Sequence, residues 1–214
     1  MATFALIHGA GDVGWYWHLV AAELLDRGHD VVAPDLPSEV DSAGLAEYAD
    51  TVVDAIGDRS DVVVAAQSFG GFIAPMVCQR TPVDLLVLLA GMIPLPGETP
   101  DDWWANTDYL QAQRKRDEHE GRPTDDIAMF YHDVPPDLAA EALRRASRPR
   151  SRVIAVRARV RSRNWRIGSG GTNEPRTQTV RAAVAVTEPF ATRIQVVYRG
   201  RRLSRTGSPS GPAR

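Results

Sequence analysis

With 214 residues the chain is long enough for one domain with a proper core and barely long enough for two. Its 43% hydrophobic and 24% charged residues are ordinary for a globular protein, and the lone Cys78 excludes an internal disulfide or a cysteine-built zinc cluster. A net charge of −2, the lack of any apolar run near the roughly 18 residues of a membrane span, and a start without a basic n-region make a cytoplasmic protein the expectation.

The first 90 residues alternate strand and helix. TFALIH is a continuous apolar run of the kind a buried parallel strand uses. Trp17 to Arg27 carries Leu19, Val20, Ala22, Leu24 and Leu25 at helical spacing, and Gly28 sits where it would stop the helix. HDVVAPD is the second strand and Pro34–Pro37 a loop. Asp41 or Ser42 would cap a helix that runs to about Ile56 and ends at Gly57. DVVVAAQ, SFGGFIAPMVCQR and VDLLVLLAG supply the third strand, third helix and fourth strand. Short links between such elements imply right-handed crossovers and a parallel sheet with helices on both faces.

From Met92 to about Arg145 the pattern changes to a helical cap. MIPLPGETPDDWW reads as loop, followed by the polar helical stretches DYLQAQRKRDEHEG and PPDLAAEALRRA. Residues 1–145 thus form a core with a cap insertion at about 92–145, and residues 146–214 form an atypical tail. In that tail RVIAVRARVRS, TVRAAVAV and ATRIQVVYRG alternate like short strands, while SRTGSPSGPAR is low in complexity.

Charge divides the chain at nearly the same place. Residues 1–143 hold 7 Lys+Arg against 25 Asp+Glu, a net of −18. Residues 144–214 hold 18 Arg, no Lys, and only Glu174 and Glu188, a net of +16. Arginines scattered among Val, Ala and Gly are what GC-rich coding DNA gives out of frame, pointing to a frameshift between about residues 144 and 152. The rival, an Arg-rich arm for nucleic acid or acidic lipid, lacks a motif and has only Trp165 and Tyr198 to stack on bases. No nucleic-acid or membrane partner is expected.

Two chemistries claim the loop after the first strand. Gly9, Gly11 and Gly14 spell G-x-G-x-x-G, with Asp35 about twenty residues on, the layout of a dinucleotide site. His8-Gly9 after the first strand is also where an α/β-hydrolase builds its oxyanion hole. The third strand favours the second chemistry. It runs into Ala66-Gln67-Ser68-Phe69-Gly70 and then a helix, a variant of G-x-S-x-G in which Ala66 replaces the first glycine. Small residues on either side let strand and helix backbones pass closely and expose the serine above the sheet. An N-capping serine is the plainer alternative for Ser68.

Residues 2 to about 145 resemble the α/β-hydrolase superfamily, and within it the small esterase branch of plant methylesterases and hydroxynitrile lyases. The resemblance rests on FALIHGAG with GWYWHLV, on GHDVVAPDLP, on AQSFGG and on DLLVLLAGMIPLPGE, in that order. It implies a cofactor-free hydrolase in which Ser68 is acylated while the Ala10 and Phe69 N–H groups hold the oxyanion. It also implies an acid and a histidine after later strands, and neither is found. All five histidines (8, 18, 29, 119 and 132) precede residue 133. His8 reads as structural and His18 and His29 as packed or solvated, which leaves His119 and His132 in the cap as substitutes. Glu98 stands where some superfamily members carry the acid.

The functional expectation is a serine hydrolase of small apolar carboxylic esters. The alternatives are an impaired hydrolase-like protein lacking triad histidine and acid, and a Rossmann-type oxidoreductase. Trp15, Trp17, Phe69, Trp103 and Trp104 are candidates for an apolar pocket. No cofactor or metal is called for, and Lys115 is the only lysine. A four-stranded sheet ending at VDLLVLLAG leaves an apolar edge that invites a homodimer.

Overall fold

Four apolar runs lie side by side as parallel strands at the centre of the computed structural model, which describes residues 1–121, 130–146, 180–185 and 194–199. They are β1 (Thr3–Ile7), β2 (Asp30–Val32), β3 (Val62–Gln67) and β4 (Leu85–Leu89). Two further strands, β5 (Val180–Ala185) and β6 (Ile194–Arg199), complete a six-stranded sheet of order β2-β1-β3-β4-β6-β5. The edge that the sequence leaves open beyond β4 is therefore covered. β6 pairs antiparallel with β4, Leu85 opposite Tyr198 and Leu89 opposite Ile194, and β5 pairs antiparallel with β6. The TVRAAVAV and ATRIQVVYRG runs supply these strands. The RVIAVRARVRS and SRTGSPSGPAR readings lie outside the described residues.

Alternation along each strand gives the sheet two unlike faces. On one, Ala5, Ile7, Val62, Val64, Ala66, Leu86 and Leu88 pack with buried residues of α2 (Leu45–Ile56) and α3 (Gly70–Arg80), among them Tyr48, Val52, Ile56, Ile73 and Val77. On the other, Leu6 and Ala65 meet Trp17, with Phe4, Val31, Ala33, Val87 and Leu89 only partly buried. α1 (His18–Asp26) lies on that second face without one fully buried residue.

Two local expectations are corrected. α2 starts at Leu45 and not beside Asp41 or Ser42, because Glu47 reaches back and accepts the Gly44 N–H at 2.7 Å. Within the stretch read as loop, α4 (Pro100–Asn106) forms: Thr99 Oγ1 accepts the Asp102 N–H at 3.1 Å, Asp102 accepts the Thr99 N–H at 3.0 Å, and Pro100 occupies the first turn. α5 (Tyr109–Glu120) and α6 (Pro136–Arg145) match the two polar helical stretches. α6 sits on the 3-10 turn Gly14–Trp17 that precedes α1. The Tyr16 hydroxyl donates to Ala142 O at 3.0 Å and lies 2.8 Å from the Tyr131 hydroxyl, and the Arg145 guanidinium lies 4.7 Å from the Trp15 ring centre.

Candidate active site

β3 ends at Gln67 and α3 begins at Gly70, so the chain reverses within two residues. Ser68 takes the strain of that reversal, with φ 49, in the left-handed region that non-glycine residues seldom enter. Long-range hydrogen bonds hold it there. Its N–H donates to Leu89 O at 3.0 Å, and its carbonyl accepts the N–H groups of Gly71 at 3.0 Å and Met92 at 2.9 Å. Ser68 does not cap α3 through its side chain; the cap position belongs to Phe69.

Close backbone approach explains the small residues. A Cβ at Gly71 would lie 2.0 Å from the Met92 carbonyl oxygen, where no side chain fits. One at Gly70 would lie 3.1 Å from Ile7 Cγ2 and 3.2 Å from Ala66 Cβ. Alanine at position 66 is accommodated because Gly70 leaves that side empty.

Ser68 and Phe69 share a cavity of 270 Å³ with His8, Gly9, Ala10 and Gly11 from the loop after β1. Leu36, Ser38, Tyr48, Met92, Pro100 and Trp104 complete its wall. Neither the Ala10 nor the Phe69 backbone N–H donates to a carbonyl among the described residues. The structure thus brings together the three residues singled out from the sequence. Of the five aromatics proposed for the pocket, Phe69 and Trp104 line it. Trp17 is buried against the opposite sheet face, Trp15 stacks on His18 at 4.1 Å, and the Trp103 indole N–H donates to Ile93 O at 3.2 Å. Successive residues of a turn or helix point in different directions, so a cluster in sequence cannot line one wall. Leu36, Ser38 and Met92, each in a loop just beyond a strand, and Tyr48 on the buried stripe of α2 were missed. For the three loop residues only their position near strand ends marked them, and for Tyr48 only its place on the buried face of α2.

The histidines do not supply a base here. His8 lines the cavity, but its Nδ1–H donates to Gly9 O at 2.8 Å and its Nε2 accepts the Leu36 N–H at 3.1 Å. Burial lowers its pKa, so it is a neutral brace between two loops. His18 Nδ1 is 2.8 Å from Trp15 O, and His29 Nδ1 accepts the Ala2 N–H at 3.3 Å. His119 and His132 are exposed and off the cavity wall. Glu98 accepts the Leu95 N–H at 2.8 Å and the Asn106 amide at 2.7 Å, which makes it a brace for the α4 entry.

Two further groups mark the site. Asp12, in the same loop, is pushed up to about 6 by burial, partly offset by the hydrogen bond it accepts from the Gly9 backbone. The Tyr48 hydroxyl is buried without a hydrogen-bond partner among the described residues, and burial raises its pKa. Among the described residues no group of three His, Cys, Asp or Glu could hold a metal ion. None of their helices is long and apolar enough to cross a membrane.

The same geometry overturns the dinucleotide reading of the loop. Asp35 Oδ1 accepts the Gly14 N–H at 2.7 Å, and a Cβ at Gly14 would lie 2.0 Å from Ala33 O. The third glycine is packed against the end of β2 and the acid is spent on its amide, while Gly9 and Gly11 face the cavity of Ser68. Comparison with known proteins agrees: the sequence pattern of the alpha/beta hydrolase family matches residues 4–200. The chain belongs to that family. The match runs through the Arg-rich stretch as well as the first 145 residues.

Among curated proteins, the probable esterase PIR7A of Oryza sativa subsp. indica is 32% identical over 109 residues, covering 44% of this chain and 41% of that protein. A carbendazim hydrolyzing esterase of Nocardioides sp. is 30% identical over 110 residues, covering 46% of each. The aligned part of the chain spans less than half the length of these curated relatives. Among solved structures, an extracellular alpha/beta-hydrolase from a Paenibacillus species superposes with a TM-score of 0.53 at 23% identity, covering 69% of this chain and 66% of that one. This last likeness speaks for the fold.

Proposed function

We propose that the chain is a serine hydrolase acting on small, apolar carboxylic esters, with Ser68 as the nucleophile and the Ala10 and Phe69 N–H groups as the oxyanion hole. The observation that carries this reading is the strained Ser68 elbow opening into the same cavity as those two amides. Ser68 Oγ would attack the ester carbonyl, and the resulting oxyanion would sit between the two N–H groups in a site walled by Leu36, Phe69, Met92 and Trp104. Collapse of the tetrahedral intermediate releases the alcohol and leaves an acyl-serine, which water hydrolyses to the acid. The esterase names of the relatives support the substrate class.

A second reading is favoured by the histidines. With His8 bonded at both ring nitrogens and the other four elsewhere, no histidine among the described residues takes the Ser68 proton. An alcohol without a base is a poor nucleophile, and losing the base alone costs on the order of a millionfold in turnover. The chain would then keep the scaffold and oxyanion hole with little chemistry.

Intact-mass spectrometry before and after a fluorophosphonate probe, with Ser68→Ala as control, decides between them. A stoichiometric adduct that Ser68→Ala abolishes is the expected result for the esterase. A folded wild-type chain that stays unlabelled overturns it in favour of the impaired hydrolase.

A further inference from the structure

An oxyanion hole needs its amides fixed before charge develops, and the Gly9–Gly11 segment offers almost no side chain by which to fix one. Its anchors are polar. The Gly9 carbonyl receives the His8 Nδ1–H at 2.8 Å and the Asp12 N–H at 3.3 Å. The Gly9 N–H is taken by the Asp12 carboxylate. A Cβ on Gly9 would fall 3.0 Å from Asp12 Oδ2 and 2.4 Å from Gln67 Oε1, so both polar oxygens press close to the Gly9 Cα and leave no room for a side chain. The Gly9 carbonyl and the Ala10 N–H belong to one planar trans peptide and point in opposite directions. Whatever holds the carbonyl therefore aims the Ala10 N–H the opposite way. The Asp12 N–H acts on that peptide while the Asp12 carboxylate holds the preceding His8–Gly9 peptide, so Asp12 fixes Gly9 from both of its peptides.

We propose that Asp12 is a positioning residue of this site, whose grip on Gly9 keeps the Ala10 N–H turned into the cavity beside Ser68. The proposal rests on the oxyanion role given to Ala10 above. It makes the grip sensitive to pH, because a carboxylate accepts the Gly9 N–H more strongly than a carboxylic acid does. The groups around it are the Tyr16 phenol on the following turn, neutral His8 at the end of β1, the uncharged Gln67 amide at the end of β3, and Asp35 after β2, which is engaged by Gly14. Burial dominates this setting and places the titration of Asp12 at about 6.

The test uses the ¹⁵N-labelled full chain and its Asp12→Asn and Asp12→Ala variants. The Gly9 and Ala10 amide resonances are followed from about pH 4 to about pH 8, beside the rate of fluorophosphonate labelling. In the wild type both amides are expected to titrate together with a midpoint near 6. Asp12→Asn, which keeps an acceptor oxygen, should leave Ala10 near its high-pH position with no titration and labelling within about threefold. Asp12→Ala should displace the Ala10 resonance and slow labelling about tenfold, less than the loss of a whole oxyanion donor. Wild-type amides that stay fixed across the range overturn the proposal, as does an Ala10 resonance that still titrates in Asp12→Asn. Should Asp12→Ala fail to fold, the Asn variant alone decides. A wild type that titrates but never labels would sink the Ser68 reading and leave the Asp12 assignment standing.

Discussion

The two faces of the sheet are built from the same strands yet buried very differently. Against α2 and α3, Val64, Ile73, Val77 and Ile56 lose all contact with water. Against α1, Leu6, Trp17 and Ala65 are the buried members of the cluster among the described residues, with Trp17 and Ala65 still 8% exposed, and Leu19, Val20 and Leu25 of α1 are 61%, 46% and 55% exposed. The elbow belongs to the thick face, because α3 carries both Ser68's neighbours and the residues that fill the core. Stability and site geometry therefore share one set of contacts there, whereas the thin face contributes little to either.

Substitutions in pairs sharpen that contrast. The largest effect is expected from Ile73→Ala on the thick face, at about 2–5 kcal/mol of unfolding free energy by denaturant titration, because a fully buried side chain leaves a cavity. A loss under about 1 kcal/mol there would break the comparison. Next comes Thr99→Ala, which removes the cap of α4 below Trp104 and should cost about 1 kcal/mol in the same titration. Leu25→Ser on α1 should change stability by about 0.5 kcal/mol or less, and a larger loss would mean that the thin face is covered in solution.

The smallest effect concerns pH at the crest between the faces, where His8 and Asp12 oppose each other. His8 is lowered from 6.5, so the unfolded chain takes up its proton first, and stability present above 6.5 is lost as pH falls through the lowered value. Asp12 is raised from 3.8 to about 6, so its contribution is fully present below 3.8 and is lost as pH rises through about 6. Thermal melts of the wild type should change little across that window. In Asp12→Asn the His8 slope stands alone, and melting temperature should rise with pH; a flat profile in the variant would remove His8 from the account.

Legibility in the sequence followed the same physics. Continuous apolar runs and helical spacing mark every element through β4, because local pattern and burial agree there. The elbow was readable since a strand, a serine between small residues and a helix in that order have few other uses. The α2 start was misread because Glu47 acts three residues back on a glycine with no side chain of its own. α4 went unread although Thr99-Pro100-Asp101-Asp102 carries both a capping box and a first-turn proline. Nothing local foretells that β6 runs antiparallel to β4, since strand direction is settled by tertiary pairing. Nor could the spacing of Trp15, Trp17, Trp103 and Trp104 reveal that only Trp104 faces the cavity.

The hydrogen bonds of Ser68 have a consequence for the order of events during synthesis. Its N–H needs Leu89 O and its carbonyl needs Met92 N–H, both on a strand and loop made more than twenty residues later. A nascent chain that ends between Gly71 and Leu89 contains the whole AQSFGG stretch and still has no reason to hold φ at 49. The strained turn is thus a late acquisition, set only when β4 has left the ribosome and docked, so the shape of the Ser68 turn and the Met92 part of the cavity wall arrive together.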